Sequence, residues 1–332
     1  MNTSSVAHMK VSVVIPVFNA VENLPELYRQ LMPAMAALVE RFEVILVEDC
    51  SRDRSWEVVR QLALQDERVR GIRLNRNYGQ HNALLCGIRA ARYQVVLTMD
   101  DDLQHPVSEI PLLLGALTQG HEVVYGSSDD NQHDLWRNLA SRLTKLALQS
   151  AMGAKSAAQV SAFRAFPTRL RAAFADYRSP SVSIDVLLTW ATARFTAVKV
   201  EHAPRLAGQS NYTIRKLITH AFNLMTGFST MPLKLASVIG FCFTLFGFGV
   251  LAWVLARYLV SGSSVPGFAF LASIIAIFSG AQMFTLGIIG EYLARMYGRT
   301  MERPAYVVGE VCDATAEPAG VEDEAPQRVG AR

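Results

Sequence analysis

The sequence predicts an α/β domain on a mostly parallel sheet, followed by a helical module that enters a membrane. Three observations carry that expectation. Short β-branched or apolar runs alternate with helical stretches as far as Tyr125. The run Gln94–Met99 leads straight into Asp100-Asp101-Asp102-Leu103-Gln104, and two apolar segments of membrane length, Leu235–Leu255 and Phe268–Gly290, come later in the chain. Strands that alternate with helices of this length predict right-handed crossovers and ligands bound beyond the carboxyl ends of the strands.

Taken in order, Val11–Val17 is a β-branched run bounded by Pro16 and Asn19 and reads as a buried first strand. Leu24, Leu27, Leu31 and Met35 recur at helical spacing across a stretch of roughly Glu22–Glu40. Phe42–Val47 then reads as a strand, Ser55–Gln65 as a helix, Val69–Leu74 as a strand and His81–Ala91 as the helix leading into Gln94–Met99. After Glu122–Tyr125 the pattern loosens into a helical Leu135–Met152, a short extended Phe163–Phe166, a helical Ile184–Ala193 and a strand over Phe195–His202.

Thr213–Phe228 is different in kind. Ile214, Leu217, Ile218, Ala221, Met225 and Phe228 share one helical face, opposite Arg215, Lys216 and His220. Directly ahead of a span, that pattern reads as a helix lying in the membrane interface, with a core-packed helix with a polar back as the competing reading. The resulting division is an N-terminal extension over 1–10, a catalytic domain over 11–212, an interfacial helix region over 213–231, two transmembrane helices within 232–292 and a cytoplasmic C-terminal segment over 293–332. Residues 313–332, rich in Ala, Glu, Pro and Gly, have the composition of a disordered tail.

Both apolar segments reach the roughly 20 residues that a hydrocarbon core requires. Arg215, Lys216 and Lys234 precede the first, Arg295, Arg299 and Arg303 follow the second, and the stretch between them holds only Arg257. The positive-inside rule therefore puts both ends of the hairpin in the cytoplasm. Residues 1–10 lack a signal peptide's apolar core, so the soluble part is expected to stay on the cytoplasmic side of the membrane, where it is made. A net charge of +3 is too small to argue for nucleic acid. The four cysteines, Cys50, Cys86, Cys242 and Cys312, show no metal-binding or disulfide spacing.

The acidic triplet is the first candidate for chemistry. If strand alternation continues through it, Asp100 and Asp102 project together and Asp101 turns aside. With Gln104 they form an all-oxygen set suited to Mg²⁺ or Mn²⁺, ions that keep several waters and bind through substrate phosphates. An acidic loop with no ligand is the competing reading. Asp49, at the end of an earlier strand, falls on the same sheet edge, where it can take hydrogen bonds from a nucleobase or ribose or cap the helix that follows. Glu22 has the same two options.

The ordered set Ile15-Pro16-Val17-Phe18-Asn19 with Glu22-Asn23-Leu24, Val47-Glu48-Asp49-Cys50-Ser51, Asn77-Tyr78-Gly79-Gln80-His81 and Met99-Asp100-Asp101-Asp102-Leu103-Gln104-His105-Pro106 resembles the inverting glycosyltransferase family 2. Its polyprenyl-phosphate branch gives the nearer likeness. Gly290-Glu291-Tyr292-Leu293-Ala294-Arg295-Met296-Tyr297, with Arg303-Pro304 and Tyr306-Val307-Val308, resembles the membrane-anchored bacterial members. The likeness runs from about residue 10 to residue 310.

The resemblance implies a GT-A fold, with Pro16, Val17, Glu22, Asp49 and Asp100 around the nucleotide and Asp100, Asp102 and Gln104 at a divalent metal. It implies Arg164 near the phosphates, and Arg205 and Ser210 on a loop closing over the diphosphate, with Asp102, Arg164 and Arg205 as the catalytic set. Arginine suits that place because its planar fork binds phosphate oxygens in pairs. The implied partners are a nucleotide-diphosphate sugar, a polyprenyl phosphate and the bilayer, with room for a homo-oligomer. The implied product is a polyprenyl-phosphate sugar for cell-envelope glycan or lipid A modification.

The chain departs from the family's pattern in three respects: Ser128 replaces a basic residue, Asn211 replaces another, and Gln159 and Ala162 stand where an acid often precedes the Phe-Arg pair. A phosphate monoester with a second pKa of about 6 is already ionised near neutral pH, so its attack needs no base. Two rivals remain. A processive polysaccharide synthase shares the nucleotide-binding half, but Trp190 lacks the Gln-Xaa-Xaa-Arg-Trp context of such enzymes. A non-catalytic nucleotide-sugar-binding scaffold is motivated by the three departures.

Overall fold

The computed structural model describes residues 3–127, 160–201, 231–261 and 267–314. Among these, eight strands form one mixed sheet: β1 (Lys10–Val17), β2 (Arg41–Glu48), β3 (Val69–Leu74), β4 (Val95–Thr98), β5 (Val123–Ser127), β6 (Arg164–Pro167), β7 (Phe195–Lys199) and β8 (Val308–Asp313). Their spatial order is β7-β5-β6-β4-β1-β2-β3-β8. β1 lies parallel between β2 and β4, β2 pairs parallel with β3, and β5 pairs parallel with β7. β6 runs antiparallel between β4 and β5, and β8 runs antiparallel along β3. The strand order reverses at β1, so a crevice opens there between the carboxyl ends of β1 and β4.

Both faces of the sheet are covered, and its central strands are accordingly mostly apolar, with the buried Ser12 hydroxyl of β1 bonded to the buried Glu43 of β2. Val11, Val13, Ile15 and Val17 face helix α2 (Leu24–Leu38), α3 (Ser55–Gln65) and α5 (Ile110–Leu117). Val14, Ile45 and Val47 face α4 (Gln80–Ala90) and α6 (Ile184–Ala191). Gly87 lets α4 come down onto the sheet, because a Cβ there would collide with the stiff Val14 side chain.

Three elements differ from the sequence expectation. A short helix α1 (Thr3–Ala7) occupies the N-terminal extension and buries Val6 in the core. β4 stops at Thr98 instead of Met99, and Asp101 and Asp102 sit in a turn. β8 gives the C-terminal segment a place in the sheet, ending where a disordered tail was expected to begin.

Two long helices, α7 (Met231–Ser261) and α8 (Phe268–Thr300), pack through Phe278, whose ring meets Phe243 edge-to-face at 5.5 Å and stacks on Phe246 at 6.4 Å. Among the described residues one stretch, Leu233–Val260, is long and apolar enough to cross a bilayer, and its most apolar part is not buried against protein. An exposed helix of that length and composition fits a membrane span. The helices expected over Leu135–Met152 and Thr213–Phe228 lie outside the described residues.

Candidate functional site

Each of the four central parallel strands is followed by a residue in the left-handed region: Asn19 (φ 54°), Cys50 (φ 55°), Gly79 (φ 96°) and Leu103 (φ 59°). Such backbone strain persists only where surrounding contacts hold it, and it concentrates at ligand sites. Here the loops hold each other. The Asn19 amide donates to Ser51 Oγ at 2.9 Å, the Arg52 amide donates to Asn19 Oδ1 at 3.0 Å, and the Ala20 amide donates to Ser55 Oγ at 2.9 Å.

Between these loops lies an open cleft of about 310 Å³. Pro16, Val17 and Phe18 form one wall, Asn77, Gly79 and Gln80 another, and Asp49, Asp100, Asp101 and Asp102 supply its charge. Asp49 accepts the amides of Tyr78 and Gly79, one on each oxygen, at 2.7 Å. Burial raises its pKa, and those two amides pull it back. Asp49 therefore organises the turn ahead of α4, leaving the second lone pair of each oxygen for a ligand.

The acidic triplet is held one residue at a time. Gln80 Nε2 donates to Asp100 Oδ1 at 2.6 Å, the Phe18 amide donates to Asp101 Oδ2 at 3.1 Å, and the Gln104 amide donates to Asp102 Oδ1 at 3.2 Å. Burial first, then the neighbouring Asp100 and Asp102, push Asp101 up to about 7, against the Phe18 amide. The alternation expected to turn Asp101 aside does not extend this far, because the strand ends at Thr98. The turn instead brings all three carboxylates to the cleft.

Among the described residues no group of three or more His, Cys, Asp or Glu is arranged to hold a metal ion by itself. An Mg²⁺ or Mn²⁺ site does not need one. Such ions take one or two carboxylates and complete their shell with water and substrate phosphate. The donor chemistry of the cleft fits that pattern.

The cleft gathers five of the expected residues: Pro16, Val17, Asp49, Asp100 and Asp102. Glu22 is exposed in the turn before α2 and lines no part of it, and Asn23, not Glu22, occupies the N-cap position. Gln104 meets the triplet through its backbone amide, not its side chain. Arg205 and Ser210 lie outside the described residues.

Arg164 departs most from expectation. It is 2% exposed at the start of β6 and is not among the residues lining the cleft. Its guanidinium is ion-paired with Asp185 of α6, whose same oxygen accepts the Tyr125 hydroxyl at 3.0 Å. A buried arginine needs such a partner, and this one uses it to tie β6 to α6 behind the site. Phe18, Asn77, Gly79, Gln80 and Asp101 line the cleft without having been assigned roles from the sequence. Gly79 carried the available signal, a glycine between a strand and a helix at a sheet edge that binds ligands.

The family description "Glycosyl transferase family 2" matches residues 12–177. The chain is 38% identical over 323 residues to the undecaprenyl-phosphate 4-deoxy-4-formamido-L-arabinose transferase of Pseudomonas aeruginosa strain UCBPP-PA14, covering 96% of this chain and 94% of the relative. It is 34% identical over 305 residues to the transferase of the same name from Photorhabdus laumondii, covering 91% and 94%. Among solved structures it is similar in fold to the glucosyl-3-phosphoglycerate synthase of Mycobacterium tuberculosis, crystallised with Mn²⁺, uridine diphosphate and glucosyl-3-phosphoglycerate. That match has a TM-score of 0.51 at 18% identity and covers 68% of this chain and 80% of that one. With its GT-A-like sheet, its aspartate-lined crevice at the β1/β4 reversal and relatives matched across nearly its whole length, the chain belongs to glycosyl transferase family 2 and is a glycosyltransferase.

Proposed function

We propose that the protein transfers a single sugar, with inversion, from a nucleotide-diphosphate donor to undecaprenyl phosphate at the cytoplasmic face of the membrane. The observation that carries this reading is one acidic cleft at the carboxyl edge of the sheet in a chain that also holds a helix long and apolar enough to cross a bilayer. The names of the relatives support a 4-deoxy-4-formamido-L-arabinosyl group, and the fold neighbour's bound ligands support a uridine diphosphate donor with a divalent ion.

The nucleoside lies between the Pro16–Phe18 wall and the Asn77–Gln80 wall, with Asp49 accepting its polar hydrogens. Asp100 and Asp102 hold Mg²⁺ or Mn²⁺, which when bound neutralises the departing diphosphate. The family resemblance assigns Arg205 and Ser210 to the same phosphates. Arg164 acts behind the site by fixing β6 against the end of β4, since it pairs with Thr98, two residues before Asp100. The acceptor phosphate is already an anion, so the chain needs to align it and needs no base to deprotonate it.

Protein in undecaprenyl-phosphate vesicles, offered nucleotide sugars with Mn²⁺, tests this. A lipid-linked product with one sugar is expected, abolished by EDTA and restored by Mn²⁺ or Mg²⁺. Asp102→Ala is expected to lower kcat/KM by at least about a hundredfold with membrane insertion intact. Full activity in Asp102→Ala removes the metal assignment, and a polymeric product removes the single-transfer reading.

A further inference from the structure

We infer that the segment returning from the membrane, Met301–Asp313, is a clamp that sets the position of the Asn77–Gln80 wall and thereby tunes donor binding. This rests on the reading that the cleft holds the donor nucleotide. The wall is part of the connection between β3 and α4, and the returning segment pins that connection at both ends. At the first end, pairing between β3 and β8 continues past the strand, with the Asn75 amide donating to Val307 O at 3.0 Å. The Asn75 carboxamide lies against Gly309, where a Cβ would overlap Asn75 Oδ1. At the second end Asn82, buried in the first turn of α4, donates through Nδ2 to Ala305 O at 2.5 Å and to Pro180 O at 3.0 Å.

Between the two pins lie the groups that shape the cleft. These are the Tyr78 and Gly79 amides that hold Asp49, and the Gln80 carboxamide that holds Asp100. Gly79 makes that turn with a left-handed backbone that other residues rarely adopt, so the path of the wall depends on the contacts at its ends as well as on Asp49. The clamp is itself fastened on both sides. Trp56 Nε1 donates to Glu310 Oε2 at 3.1 Å, and the Arg89 guanidinium lies 5.7 Å from the Tyr306 ring centre. Because α8 ends at Thr300, the same short segment that positions the wall also ties it to that long helix.

Asn82 and Gly309 are thus positioning residues for the donor. The test uses the full chain in lipid nanodiscs, with UDP and Mn²⁺ as the probe by calorimetry and steady-state kinetics alongside. Asn82→Ala loosens one pin, and Gly309→Val pushes the Asn75 carboxamide away from the other. Each is expected to raise the UDP Kd and the donor KM by about tenfold while kcat at saturating donor stays within about twofold. Removal of residues 315–332 is expected to leave both unchanged. Wild-type UDP affinity in both variants, or a lower Tm with unchanged Kd, overturns the clamp. Asp102→Ala separates the two layers. If it weakens UDP–Mn²⁺ binding and the clamp variants do not, the clamp alone fails. If it too binds like wild type, the cleft assignment fails, and the clamp with it.

Discussion

At the scale of single residues, charge is placed by burial more than by motif. Arg164 looked like a phosphate ligand because of its neighbours in sequence, but a side chain that is 2% exposed has to satisfy its charge inside the protein. Its partner, Asp185, was legible in principle as a lone acid in the apolar run Ile184-Asp185-Val186-Leu187-Leu188. What no local pattern could supply was the pairing between positions 21 residues apart. Pairing makes a prediction that phosphate binding does not. Asp185→Ala strands the guanidinium and is expected to cost about 3–5 kcal/mol by thermal unfolding, and Arg164→Met with Asp185→Leu is expected to recover most of it. If Asp185→Ala leaves the Tm unchanged, the ion pair is not what fixes β6. The acidic triplet shows the opposite balance. Its residue types and place at the end of β4 were readable, while its orientation was not, because alternation ends with the strand at Thr98.

At the scale of elements, the legible strands were those whose burial the sequence records directly. β1 and β2 are apolar on both faces and announced themselves as runs, whereas β8 is mostly exposed and carries no alternation. An edge strand of that kind is specified by the free edge it fills, here that of β3, and not by its own composition. Junctions between elements depend in the same way on contacts distant in sequence. Asp66, after the last turn of α3, accepts the Arg68 side chain at 2.9 and 2.7 Å and the Tyr28 hydroxyl of α2 at 3.0 Å, so one carboxylate joins two helices to the start of β3. The Arg68 hydrogen bonds hold its pKa at about 2, below the ordinary 3.8. A folded-state pKa that is depressed contributes stability above the ordinary value and loses it as pH falls through the folded one. Asp66→Asn is therefore expected to lower stability at pH 7 by about 1 kcal/mol, a value discounted because Arg68 is partly in water. The difference from wild type should close between about pH 4 and pH 2, and a gap that stays constant to pH 2 would falsify the assignment.

At the scale of the whole molecule, the two long helices are longer than a bilayer needs. At 1.5 Å per residue, α7 and α8 extend about 46 and about 50 Å, against a hydrocarbon core of about 30 Å. The sequence marked the apolar part of α8 as Phe268–Gly290, and the helix continues ten further residues to Thr300. That continuation carries Glu291, Arg295 and Arg299, with Arg295 bonded to Glu291 at 2.8 Å, so it is a polar stalk on the apolar part of the helix. The stalk delivers the chain to Ala305 and β8, on the edge of the sheet that also carries the cleft wall. If α8 is the second span, the short connection after Ser261 faces the far side of the membrane, and the stalk faces the same side as the cleft. Two cysteine variants distinguish this from a single crossing. An impermeant thiol reagent applied to intact cells is expected to label Ser264→Cys and to reach Arg303→Cys only after the membrane is opened. Labelling of Arg303→Cys from outside would mean that α8 does not return, and the clamp on the cleft wall would then be impossible in the folded protein.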